Sequence, residues 1–288
     1  MREKSEVISK NIIDYSPITI HDHNMKKTTV CVLLFIFFCQ RVNAQPAEDT
    51  MHVAEDSFAL PAYKLNLTYA KDSWGALKYA AGRPLKWKGK DWTRFGLLVG
   101  ATGGLMTMDW EIRHRAKKMH APFATSVANT VEPLGNFYGL YIFPTMYVAG
   151  ELLHQPKVAS MGLRGAQSLA ISTVIYTAAK KVIRRRRPDE ASSPFDYRIP
   201  FAGKRYTSSP SGHSNTIFTV ATVLATEFHE HRWVPWAAYS VASLTALSRV
   251  YHNRHWSSDI FLGSMLGHYV TRAVYRYHKE KKKTILLP

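Results

Sequence analysis

Beyond residue 92, six long apolar stretches of this chain carry no Asp, Glu, Lys or Arg: residues 95–108, 134–150, 165–179, 211–226, 233–248 and 260–271. Their 12 to 17 residues are too long for typical strands, which run about 4 to 8 residues, and fall short of the roughly 20 needed to cross a bilayer comfortably. Polar loops holding Pro or Gly divide them, and no strand-like alternation competes. The pattern predicts an all-α protein, a bundle of six helices near residues 93–109, 134–152, 161–186, 211–230, 233–250 and 257–276. The helices are either short spans with snorkelling flanks or the buried helices of a compact bundle. No internal repeat or low-complexity tract is present.

The N-terminal text sets the cellular context. After a polar stretch, residues 1–24, the sequence "MKKTTVCVLLFIFFCQRVNAQ" places Lys26 and Lys27 before an apolar run from Val30 to Cys39, the layout of a signal peptide over residues 25–44. Cleavage is expected after Ala44, with Met25 the start and residues 1–24 a mis-called extension; an uncleaved anchor helix is the alternative. Both cysteines, Cys31 and Cys39, fall in this leader, so a chain starting at Gln45 has no thiol, disulfide or cysteine-metal site. The whole chain has a formal net charge of +17, which points to an anionic partner. For an exported protein, anionic lipid or a phosphorylated substrate takes precedence, and no nucleic-acid partner is expected. Residues 45–92 read as an amphipathic or capping segment, with Trp87 and Trp92 candidates for a membrane interface, and residues 277–288 as a basic tail.

The polar residues at the helix ends carry the chemistry. In "AAKKVIRRRRPDE", Lys180 and Arg187 are seven residues apart, which puts them on one helix face, with Pro188 ending the helix. The next helix opens at "PSGH": Ser211 is a plausible N-cap, Gly212 lets backbone approach a ligand, and the free first-turn amides form an anion site beside His213. In "SRVYHNRHWSSD", Arg249 offers a planar fork for phosphate oxygens. His255 and Asp259 stand at i and i+4, close enough for the carboxylate to hold the imidazole if that stretch is helical. Antiparallel neighbours bring all three clusters to one face, a pocket for a phosphoryl group. Arg184, Arg185 and Arg186 are expected to be solvated or to face headgroups. His252 lies three before His255, but no third zinc ligand is evident. His229 and His231 are expected at the opposite end, facing solvent. Phe195, Tyr197 and Phe201 lie in the loop between the first two clusters, as part of a lid or acyl entrance or as simple loop packing.

Lys180-x6-Arg187-Pro188, Pro210-Ser211-Gly212-His213 and Ser248-Arg249-x5-His255-x3-Asp259 together resemble the three-part signature of the type 2 phosphatidic acid phosphatase (PAP2) family. That family shares its helical core with bacterial class A acid phosphatases and vanadium haloperoxidases. The resemblance covers residues 180–259 by motif and about 160–276 by pattern, and it assigns residues 93–276 as the catalytic domain. It implies that His255 is the nucleophile, forming a phosphohistidine, that Asp259 orients it, and that His213 protonates the leaving oxygen. It further implies that Lys180, Arg187 and Arg249, with Ser211 and Gly212, hold the phosphate, and that no metal or cofactor is needed. The implied substrate is a lipid phosphate or pyrophosphate of the undecaprenyl pyrophosphate, phosphatidate, phosphatidylglycerophosphate or lipid A type. A soluble periplasmic phosphatase of small monoesters and a non-catalytic lipid-binding envelope protein are the alternatives. The expected location is a bacterial cell envelope, membrane-associated with a periplasmic active site, or the soluble periplasm. Charge does not settle the topology, because the tail "RYHKEKKK" and the loop "EIRHRAKK" ask for opposite orientations.

Overall fold

The computed structural model describes residues 63–201 and 206–286, all within one compact unit, Asp49–Pro288. The proposed extension, leader and cleavage site, with Cys31 and Cys39, lie outside the described residues. Among those residues there are eight α-helices and no strand: α1 Leu67–Gly82, α2 Gly89–Lys118, α3 Pro122–Val131, α4 Phe137–Leu152, α5 Pro156–Ile183, α6 Gly212–Glu227, α7 Trp233–Tyr251 and α8 Ser257–Leu286. The all-α expectation stands, and the count of six is corrected to eight. Six helices correspond to the six apolar segments. The additional ones are α1, which is capped by the Asn66 side chain accepting from Tyr69 N at 3.0 Å, and α3, which starts at Pro122. At ten residues α3 is too short to show a convincing 3.6-residue period. Residues 277–286 of the basic tail continue α8.

The helix α6 is the centre of the bundle and packs against α5, α7 and α8. Two glycines of α8 allow this. A Cβ on Gly263 would sit 2.3 Å from the carbonyl oxygen of Ser211, and one on Gly267 would sit 2.4 Å from that of Asn215, so the helices meet backbone to backbone. Any larger residue at either place forces them apart. Their contact fixes the start of α6 beside the start of α8, and Ser211 N donates to Asp259 O at 3.0 Å. The ends of α5 and α7 arrive at the same place: Ser208 N donates to Arg185 O at 2.9 Å, and His255 N to Arg249 O at 3.3 Å.

At the other end of the bundle, polar side chains join α1, α5, α6 and α8. Arg164 pairs with Glu227 at 2.8 Å, Tyr275 donates to the same carboxylate at 2.7 Å, and Asp72 takes the Tyr63 hydroxyl at 2.5 Å and the Lys281 ammonium. His278 Nε2 lies 2.5 Å from Gln167 Oε1. Among the described residues no helix is long and apolar enough to cross a membrane. Large apolar side chains nevertheless cover much of the surface, with Trp236 at 80% and Phe123 at 81% exposure.

Candidate active site

The first cluster is built differently from its sequence expectation. Helix α5 stops at Ile183, because Arg184 adopts the left-handed conformation (φ 47°, ψ 63°) and not because of Pro188. That conformation costs a non-glycine residue roughly 1–2 kcal/mol, and flanking bonds hold it in place. Arg198 N donates to Arg184 O at 3.0 Å and Arg186 N to Asp196 O at 3.0 Å, while Arg185 bridges Tyr197 in antiparallel fashion. Lys180 and Arg187 therefore do not share a helix face. Their charges still act on each other: burial first and then the Arg187 charge pull the Lys180 ammonium down to about 8.

Arg185 is the main correction. Expected to be solvated or to face headgroups, it is buried, with 1% exposure. Its Nη1 donates to Asp259 Oδ1 at 2.8 Å and Ser258 Oγ at 2.7 Å, and its Nη2 to Asp109 Oδ2 at 2.8 Å. The Pro194 carbonyl takes Nε at 2.9 Å, and the guanidinium carbon lies 5.1 Å from the centroid of the buried Trp256 ring. Asp109, from α2, also accepts Ser257 Oγ at 2.5 Å and Ser258 N at 3.0 Å. One guanidinium thus ties α2, the strand-like segment after α5 and the first turn of α8 together. Arg184 is buried as well, and Arg186 pairs with Asp196 at 3.1 Å, leaving none of the three as a simple surface charge.

This network also changes the part played by Asp259. Helix α8 begins at Ser257, so His255 precedes it and the i, i+4 relation does not form. The Asp259 carboxylate is taken by Arg185, by Ser208 Oγ at 2.5 Å and by Trp256 N at 3.1 Å, while His255 Nδ1 is buried with no hydrogen-bond partner among the described residues. Burial pushes the Asp259 carboxyl up, and Arg185, Ser208 and the Trp256 amide pull it back.

The second cluster follows its sequence. Ser211 is the N-cap of α6 and accepts from Ser214 N at 3.4 Å and Ser214 Oγ at 3.1 Å, which leaves its own hydroxyl proton for a ligand. At Gly212 a Cβ would lie 3.1 Å from Tyr176 Oη, so a side chain here would crowd the ring over which Lys180 Nζ stands, 5.6 Å from its centroid.

His213, His255, Lys180, Arg187 and Arg249 converge. Burial, then Lys180, Arg187, Arg249 and His213 in turn, hold the His255 imidazole well below its ordinary pKa, so it is a neutral base at pH 7. His213 is brought down to about 4, first by burial and then by Arg249, with Glu132 opposing. Glu132, in the 3₁₀ turn Glu132–Gly135, was not anticipated. Its Oε1 lies 3.1 Å from His213 Nε2 and also accepts from Arg249 Nη1. A signal for it existed, since Glu132 is the only Asp, Glu, Lys or Arg between residues 119 and 150. For Arg185 no comparable signal exists. The pocket is cationic with a neutral imidazole inside, which suits capture of an oxyanion next to a nucleophile. Among the described residues no group of three or more His, Cys, Asp or Glu could hold a metal ion. His252 stands at the pocket's edge, where burial and then Arg249 lower its pKa. Phe195, Tyr197 and Phe201 are exposed on the neighbouring loop.

Residues 163–283 match the model of the PAP2 superfamily. They form a PAP2 domain. All three clusters fall inside the match, whereas Asp109 and Glu132 lie before it. Over 103 residues the chain is 35% identical to the lipid A 1-phosphatase of Porphyromonas gingivalis, a stretch equal to 35% of this chain and 20% of that protein. It is 28% identical over 141 residues to the undecaprenyl-diphosphatase of Sulfolobus acidocaldarius, covering 46% of this chain and 66% of that one. The chain thus spans less than two thirds of either relative. The PAP2 fold is also seen in the crystal structure of the first transmembrane PAP2 type phosphatidylglycerolphosphate phosphatase from Bacillus subtilis, with a TM-score of 0.50 at 22% identity, over 68% of this chain and 95% of that one.

Proposed function

We propose that this protein is a phosphatase of lipid phosphates or lipid pyrophosphates that works through a phosphohistidine at His255. The observation that carries the reading is the neutral, buried His255 facing Lys180, Arg187, Arg249 and His213 within a PAP2 domain. The three cations, the Ser211 hydroxyl and the first-turn amides of α6 take the phosphoryl oxygens. The His255 imidazole attacks phosphorus as the bond to the leaving oxygen breaks, and His213 gives that oxygen its proton. Water then attacks the phosphohistidine and gives a proton back to His213, releasing inorganic phosphate and regenerating neutral His255. Asp259 acts at one remove, through the buried network that fixes the His255 loop. A lipid substrate is favoured because both curated relatives are named for lipid-linked phosphates, and because exposed Phe195, Ile199 and Phe201 give an acyl or isoprenyl chain apolar surface beside the pocket. On this reading the enzyme works in the cell envelope, exported and either peripheral to or partly inserted in the membrane through its exposed Trp and Phe side chains, with the soluble periplasm as the alternative. A soluble phosphatase of small monoesters is the second reading.

The test is purified protein assayed on a lipid A or isoprenoid phosphate in mixed micelles and on a soluble alkyl phosphate, with and without His255→Ala. Faster turnover of the lipid, lost in the variant, is expected, with labelled phosphate trapped on the wild type alone. Preference for the soluble ester moves the enzyme to the second reading, and trapped phosphoenzyme in His255→Ala overturns the nucleophile.

A further inference from the structure

We propose that Glu132 is a positioning residue for His213, holding its imidazole by Nε2 and steadying the imidazolium that serves as general acid. The proposal rests on the phosphatase reading above. Glu132 Oε1 is 3.1 Å from His213 Nε2, and the same oxygen accepts from Arg249 Nη1, itself in the phosphate pocket. A carboxylate so placed fixes which ring nitrogen carries the neutral imidazole's proton and leaves Nδ1 for the reaction. The surroundings make the need plain. His213 is faced by Lys180 from α5, Arg249 from α7 and His255 before α8, all groups that disfavour a second positive charge, and the Glu132 carboxylate opposes them. The backbone makes the placement rigid. Glu132 sits in a 3₁₀ turn containing Pro133, and a Cβ at Gly135 would lie 3.0 Å from His213 O, so turn and motif are in direct contact. The carboxylate–histidine pair expected between Asp259 and His255 is thus found at the other histidine.

The experiment measures kcat and KM against pH for the full chain and for Glu132→Gln, Glu132→Asp, His213→Ala and the double variant, on an alkyl phosphate and on nitrophenyl phosphate. Glu132→Gln should lower kcat on the alkyl ester about 10- to 100-fold, a share of the 10² to 10⁴ that general acid catalysis contributes, and less on the nitrophenyl ester, whose leaving oxygen needs little protonation. KM should not rise, since a negative charge has left the phosphate pocket. The sign for pH follows: the Glu132 charge favours protonated His213, so its loss moves the alkaline limb of kcat/KM to lower pH, and Glu132→Asp restores part of the shift. In the His213→Ala background Glu132→Gln should cost nothing more. An unmoved limb with equal losses on both esters, or a full extra loss in the double variant, overturns the proposal while leaving His213 as the acid. Equal loss of the two esters in His213→Ala itself is the separate failure of the mechanism on which the proposal rests.

Discussion

The two ends of the bundle bury similar side chains and put them to opposite use. At the end where α1, α5, α6 and α8 meet, charges are matched: Arg164 with Glu227, Lys281 with Asp72, and His278 on the neutral Gln167. At the active end, Arg185 is matched by Asp109 and Asp259, but Lys180, Arg187 and Arg249 converge on His255 with Glu132 the carboxylate joined to Arg249. The first arrangement closes on itself and ties helices together. The second holds more positive than negative charge, a condition that persists only if an anion completes it. Buried charge is therefore poor evidence of function on its own, and imbalance is better evidence.

The sharpest way to break this comparison is at the nucleophile. His255→Ala should reduce turnover by about 10⁴-fold or more, while a thermal melt stays near that of wild type. A large loss of stability with residual turnover would place His255 among the structural groups instead. The next effect joins the two roles. Arg185→Met leaves Asp109 and Asp259 buried without their shared cation, and should cost about 3–5 kcal/mol of stability in denaturant unfolding together with most of the activity. Arg186→Met, beside it but half-exposed, should cost under about 1 kcal/mol. Equal results for the two would mean that the network does not organise the site.

The matched end gives the opposite signature. Glu227→Gln should lower stability by about 2–4 kcal/mol, since Arg164 is 4% exposed, yet leave kcat at a temperature well below the melt within about twofold. A selective fall in kcat would show that the two ends are coupled.

The matched end also answers to pH. Burial pulls His278 down to about 4 against an ordinary value near 6.5. Between those values the unfolded chain binds the extra proton, so stability is fully present above about pH 6.5 and is lost as pH falls through about 4, by at most about 3 kcal/mol. Melts of His278→Gln should therefore be flatter than wild type over that range, with the activity profile unmoved. A steeper acid loss in the variant would refute the assignment.

Much of this was legible in the chain. The six uncharged runs gave the helices, because a segment of that length and apolarity can satisfy its backbone and bury itself only as a helix in such a bundle. The three motifs named the pocket because their spacing is local: Ser211 caps the helix that carries His213, and Arg249 lies in the last turn of the helix that precedes His255. The pairings of Arg185 with Asp109 and Asp259, and of Glu132 with His213, join residues 74 to 81 positions apart. Nothing in a linear pattern separates a charge that will be buried from its solvated neighbours. Arg184, Arg185 and Arg186 read alike in sequence, and a left-handed turn at Arg184 turned the second inward while leaving the third half-exposed. The choice of which carboxylate holds which histidine was likewise decided only when α8 began at Ser257 rather than before His255. Local propensity sets where a helix can exist; the packing of its neighbours sets where it starts and stops, and at helix ends that difference of two or three residues reassigns every side chain that does the chemistry.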